Sequence, residues 1–320
     1  MNLFAQFVTL SLAFLSVNAV NNFGGIVASN SASTGSYTCR TQQQASVNAD
    51  LVDFSCACLG VASSLDTLKW NDLANTARNN GFSSIRVLSV EPGCDALNRA
   101  ATAAASAGLT VLAGIWVDGT MAQSAANIQR DAALFRDAVR RFGAGRFRGL
   151  TVGNEVNDSP ANIINKVNEV RNFLRSNGVN TPVSTVHTWV HIRDNRVLCN
   201  GDFVGANAHA FFDGNVVGQQ TGDFVFKTVV PSLKGACPGK QLWITESGWP
   251  SRGPSRGRAV ASVAEARTAL LNLNCACRDD RSVSVYAFEA DDSLWKPGND
   301  NERSFGIFGK HNLGEVFAPC

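Results

Sequence analysis

Hydrophobic and polar positions divide the chain into short apolar runs alternating with longer amphipathic stretches. Eight runs stand out, at 25–29, 84–90, 110–117, 150–156, 182–189, 203–211, 241–248 and 283–290. They lack the every-other-residue alternation of a strand with one wet face, so they fit a parallel sheet covered on both sides. Helical patterns fill most of the gaps, at 65–80, 94–107, 122–142 and 259–273. The clearest helix follows the fourth run. Asp158 or Ser159 can cap it, Pro160 suits its first position, and Ile163, Ile164, Val167, Val170, Phe173 and Leu174 recur at helical spacing before Gly178 stops it. Strands alternating with helices imply right-handed crossovers. The fold class predicted is α/β, a (β/α)8 TIM barrel formed as a single domain over residues 20–320. An open nucleotide-binding sheet fits less well, because Phe23-Gly24-Gly25 precedes the first run and no phosphate loop opens a helix.

Two of the runs end on a glutamate. Thr151-Val152-Gly153-Asn154-Glu155 closes the fourth, and Trp243-Ile244-Thr245-Glu246 closes the seventh before Ser247-Gly248-Trp249-Pro250-Ser251. A doubly covered strand has no structural need for an anion at its tip. In a barrel, the C-terminal strand ends face one site, which would bring together two carboxyls 91 residues apart in sequence. Paired carboxyls are the apparatus for breaking a glycosidic bond, one protonated to aid departure and one ionised to attack. Residue types alone do not say which Glu carries the raised pKa. Glu289, at the eighth strand end, and Lys296 read as an ion-paired wall of the cleft or as a rim salt bridge. Trp189, Phe211, Phe212, Trp249 and Trp295 follow strands where sugar faces could stack. His209 is placed to bond substrate or to hold Glu246, while His187 and His191 read as rim or surface residues. Asp291 and Asp292 read as solvated or helix-capping.

Composition adds the compartment. Net charge is +2 with no basic cluster, which gives no reason to expect nucleic acid or an anionic membrane as partner. Residues 1–19 read as a secretory signal peptide: the run from Leu10 to Val17 is mostly apolar and too short to span a bilayer, and Val17-Asn18-Ala19 offers a cleavage point. Nine cysteines fit an oxidising compartment, mostly as disulfides, with one left over. Cys56-Ala57-Cys58 and Cys275-Ala276-Cys277 lack zinc-ligand spacing, and the histidines form no metal motif, so neither metal nor cofactor is expected. Asn157-Asp158-Ser159 is the one glycosylation pattern, with Pro160 directly behind it.

Gly153-Asn154-Glu155-Val156 and Thr245-Glu246-Ser247-Gly248-Trp249-Pro250-Ser251 resemble the two signatures of glycoside hydrolase family 17, the β-1,3-glucanases and glucanosyltransferases of fungi and plants. Gly114-Ile115-Trp116-Val117, Phe288-Glu289-Ala290, Trp295-Lys296 and Glu302-Arg303-Ser304-Phe305-Gly306-Ile307-Phe308 follow in the same order. The resemblance implies a retaining mechanism, with Glu155 as general acid/base, Glu246 as nucleophile and Asn154 bonding the sugar hydroxyl beside the reacting carbon. It implies β-1,3-glucan as the partner, a secreted or cell-wall location and a monomer. Leu88, Gly93 and Asp291-Asp292-Ser293 depart from the family pattern, and bear on chain-length and linkage preference. The reading is an endo-β-1,3-glucanase. A glucanosyltransferase using the same residues is the alternative, with a related barrel acting on mannan or cellulose, or a non-catalytic wall glucan-binding protein, behind it.

Overall fold

A computed structural model describes residues 25–28, 63–90, 95–294, 296, 298–317 and 320. The proposed signal segment, Cys39, Cys56, Cys58, Gly93, Cys94 and Trp295 lie outside the described residues. Eight strands run β1 Gly25–Ala28, β2 Ser84–Val87, β3 Thr110–Ile115, β4 Phe147–Asn154, β5 Val183–Thr188, β6 Val204–Asn207, β7 Leu242–Ser247 and β8 Ser284–Ala287. Each pairs in parallel with its sequence neighbour, and β1 closes the ring on β8 through Gly25↔Tyr286 and Ile26↔Ala287. Helices alternate with them: α1 Ser63–Asn79, α2 Ala96–Ala107, α3 Ala125–Phe142, α4 Pro160–Ser176, α5 Trp189–Asp194, α6 Val230–Ala236, α7 Val263–Asp279 and α8 Leu313–Val316. The (β/α)8 barrel expected from the apolar runs is the fold observed.

Local chemistry explains the boundaries. On α4, Ser159 is the cap, its hydroxyl accepting from Asn162 N, with Pro160 at the first position. Ile163, Ile164, Val167, Val170 and Leu174 turn inward against the sheet. The helix predicted over 259–273 begins later, at Val263, because Ser262 provides the cap and Ala259 is held in a turn against Arg256. It continues to Asp279 through Cys275, which is bridged to Cys320. A second disulfide, Cys199–Cys237, ties the turn before β6 to the end of α6. Cys277 is buried and unbridged, and burial pushes its thiol up, so it is inert.

The lumen is filled rather than open. Leu112, Phe203, Trp243, Tyr286, Phe288 and Phe305 form a distinct apolar cluster inside the ring. Trp243 stacks on Phe203 at 3.9 Å. Gly149 makes this possible, since a Cβ there would lie 3.0 Å from the Trp243 ring and 3.1 Å from Phe203. The larger core lies between strands and helices. Every strand ends before its apolar run does, β6 by the widest margin. The run at 203–211 supplies a strand only to Asn207, after which the chain turns through Ala210–Phe212. One ladder irregularity falls near the start of β3, at Val111/Leu112, and three more fall at Thr151/Asn154, Ala206/Asn207 and Ile244/Ser247. Such breaks re-aim side chains, and the last three lie at the C-terminal ends of their strands.

His187, read as a rim or surface residue, is instead buried in β5. Its ring stacks on His191 of α5 at 5.1 Å and its Nε2 lies 3.2 Å from Thr185 Oγ1. Burial, then the neighbouring His191, lowers its pKa to about 4. The folded state therefore holds it neutral while the unfolded chain protonates it near 6.5. Stability is complete above pH 6.5 and falls as pH drops towards about 4, by up to about 3 kcal/mol. In urea titrations across that range, His187→Leu should show a shallower loss than the wild-type protein. Equal slopes would refute the assignment.

Candidate active site

The C-terminal ends of β4 to β8 enclose a cleft of about 710 Å³ with Glu155 and Glu246 both in its lining. Glu155 stands one residue beyond β4. Its N–H still donates to Val186 O on β5 (2.8 Å), but its backbone has turned left-handed at φ 54°. That conformation is costly for a residue with a Cβ and persists at sites where the surroundings impose it. Glu246 lies in β7, and Ala208 N donates to its carbonyl at 2.8 Å. Gly248 lets the chain pass β8, because a Cβ there would meet Phe288 O at 2.0 Å.

A continuous network joins the two carboxyls. Arg86, fully buried in β2, donates from Nη1 to Glu246 Oε1 (2.6 Å) and to Thr245 O (3.1 Å), and from Nη2 to Asn154 Oδ1 (2.9 Å). Asn207 donates to Glu155 Oε1 (2.8 Å) and Asn154 Oδ1 (3.1 Å), and is itself fixed by the Thr245 hydroxyl at 2.8 Å. His209 Nε2 sits 3.3 Å from Glu246 Oε2. Its ring is packed edge-on against Phe212, Phe288 and Phe305. Each oxygen of Glu246 thus has a fixed partner, which sets the plane of the carboxylate.

The surroundings push the pair apart. Glu155 opens onto the cleft, yet protein walls crowd its carboxyl. This desolvation, and secondarily the charge of Glu246, raise its pKa, and the bond from Asn207 only partly offsets them. Glu246 is almost wholly buried, which alone would raise its pKa. Arg86, then His209 and Lys296, outweigh that and bring it down to about 2. The surroundings thus shift Glu155 towards its protonated form and Glu246 towards its ionised form, in the same cavity.

The remaining expected residues divide. Asn154, Trp189, His209 and Lys296 line the cleft. Phe212 also lines it and is 39% exposed. Phe211 and Trp249 do not: both are fully buried and pack edge-on at 5.3 Å, with Trp249 Nε1 donating to Val260 O. Expected as sugar platforms, they are core residues behind the wall, because the turn at Ala210–Phe212 sends alternate rings to opposite sides. Glu289 lies two residues past β8 with no exposed surface, its carboxylate 3.6 Å from Lys296 Nζ and bonded by the Ser293 hydroxyl at 2.8 Å. It supports the wall from behind rather than facing the cleft. Asp292, read as solvated or capping, is half-buried between Arg252 (2.9 Å) and Lys310, and accepts from Gly306 N. Arg86 and Asn207 went unassigned in the sequence, although a guanidinium within an apolar strand run requires a buried anion.

Residues 63–306 match the family described as the BtgE/BtgC glycoside hydrolase domain. The chain is 35% identical over 167 residues to the cell surface mannoprotein MP65 of Candida albicans, covering 50% of this chain and 43% of that protein. It is 31% identical over 223 residues to the probable family 17 glucosidase SCW10 of Saccharomyces cerevisiae, covering 68% and 54%. The chain therefore spans about half the length of the curated relatives it matches. A solved structure of the glycoside hydrolase family 17 β-1,3-glucanosyltransferase from Rhizomucor miehei superposes with a TM-score of 0.67 at 20% identity, covering 89% of this chain and 92% of that one, and shares the barrel. An active-site mutant of the same enzyme in complex with laminaritriose gives the same score. With its two strand-end glutamates in one cleft, the chain belongs to the BtgE/BtgC glycoside hydrolases of family 17.

Proposed function

We propose that this chain cleaves β-1,3-glucan internally with retention of configuration. The observation that carries the reading is the opposed electrostatic setting of Glu155 and Glu246 within one cavity. Glu155, the carboxyl whose pKa is raised, gives its proton to the glycosidic oxygen as the C1–O bond breaks. Glu246, ionised beside Arg86, forms an ester to C1. Glu155, now a base, takes a proton from water, whose oxygen attacks C1 and releases Glu246. Asn154, oriented by Arg86 and Asn207, bonds the hydroxyl next to C1 as charge develops. Lys296 and the aromatic residues hold the flanking sugars. The laminaritriose bound by the R. miehei enzyme supports the linkage. Work outside the cell belongs to the same reading, supported by the two disulfides among the described residues, by the apolar segment at 1–19 and by the surface location in the name of the Candida relative.

Proton NMR of laminarin cleavage tests this directly. The new reducing end should appear first as the β-anomer and only later mutarotate. An initial α-anomer would show that water attacks without a glycosyl-enzyme, and the nucleophile assignment would fall.

A further inference from the structure

We infer that Trp189, braced from behind by Arg193, is the acceptor platform that lets a sugar hydroxyl displace water in the second step. This rests on the proposed retaining reaction and adds to it the choice of acceptor. Cleft side follows from strand order. Glu155 is bonded to β5 through Val186 O, and β5 leads directly into α5, whose first residues Trp189 and Val190 form the adjoining wall. Glu246 lies on the far side, beside Phe288, Phe305 and Lys296. The group that leaves must sit over the acid that protonates it. Any acceptor later fills that vacated place, so the α5 wall belongs to the acceptor.

That wall is built to stay still. Thr188 caps α5, its hydroxyl accepting from His191 N at 3.3 Å, which fixes where Trp189 leaves the strand. The Trp189 ring meets Phe224 edge-on at 6.0 Å and 84°. The Arg193 guanidinium lies over it at 5.2 Å and is itself forked onto Asp194 at 2.7 and 3.0 Å. Trp189 is half-buried and lines the cleft, so ring surface remains for a pyranose C–H face. Beside it Val190 is 39% exposed. Apart from the indole N–H, a wall of this kind offers no bonds to a lone water, and its face stacks well on a sugar. In the transfer step, the C1–O bond to Glu246 breaks, a C1–O bond to the acceptor hydroxyl forms, and the hydroxyl proton passes to Glu155.

The test uses a β-1,3-linked glucose tetrasaccharide at fixed concentration, resolving product lengths over time. The wild-type protein should give products longer than the substrate. Trp189→Ala should lower the ratio of transfer to hydrolysis about three- to tenfold, and Trp189→Phe should restore most of it. Arg193→Ala, which alters only the brace, should fall between. An unchanged ratio in Trp189→Ala, or cleavage by the wild-type protein with no longer products, overturns the acceptor role and leaves the cleavage reading standing. Absence of any cleavage by the wild-type protein sinks both. Equal loss of transfer and hydrolysis in both Trp189 variants would also overturn it, marking the ring as donor-binding or structural.

Discussion

Glu246→Gln is expected to lower kcat on laminari-oligosaccharides by on the order of 10⁴-fold, comparable to removal of an enzymatic nucleophile elsewhere. An amide cannot form the ester to C1, and neither Glu155 nor Glu289 can take its place. Glu155 is committed to the leaving group, and Glu289 is buried behind Lys296. The fold should tolerate the change. The Gln carbonyl can keep the Arg86 bond made by Oε1, and its NH2 can donate to His209 Nε2 if the ring proton moves to Nδ1, a nitrogen with no other partner. Binding of laminaritriose, read by calorimetry, should therefore change by less than about tenfold, which is within 1.4 kcal/mol. Glu155→Gln gives a different signature. It should cripple cleavage of glucan, whose leaving oxygen needs a proton, and largely spare the first step on an aryl glucoside whose leaving group does not. If Glu246→Gln retained wild-type turnover, the site described here would not be the catalytic one.

Much of this was written in the chain. Uniformly apolar runs and helical spacing announce a parallel barrel, because doubly covered strands cannot alternate. Glutamates at two strand tips announce the chemistry, because only a site can repay an anion there. What stayed hidden depends on register. Phe211 and Phe212 are adjacent and chemically alike, and only the turn that ends β6 decides that one enters the core and the other the cleft. Trp249 follows Glu246 closely in sequence, yet its indole is drawn inward by the Val260 carbonyl across the loop. His187 looked like a rim residue because its stacking partner belongs to the next helix. Arg86 was in view within an apolar run, and its partners lie 68 and 160 residues away. Contacts that distant are set by barrel closure, which local pattern does not encode.

Arg86 should matter nearly as much as the glutamates, although it need not touch the reacting atoms. It is the main counter-charge that brings Glu246 below the usual carboxylate range, against the pull of burial. The sign of the pH effect follows. With its folded pKa lowered to about 2 from 4.5, Glu246 contributes stability and stays ionised above pH 4.5, and both are lost as pH falls towards 2. Arg86→Met removes the counter-charge and leaves desolvation in command, so the Glu246 pKa should rise above its unperturbed value. The acid limb of kcat/KM should then move up by more than one pH unit, and stability should drop by about 3–5 kcal/mol, the cost of breaking one partner from a buried pair. Arg86→Lys separates charge from geometry. A single ammonium keeps Glu246 ionised, and so the acid limb should stay low, but it cannot hold Glu246 and Asn154 together as the two guanidinium nitrogens do. Asn154 then loses a donor and kcat falls. An acid limb that does not move in Arg86→Met would mean that His209 and Lys296 suffice to hold the charge on Glu246, and the positioning role assigned to the β2 guanidinium would be wrong.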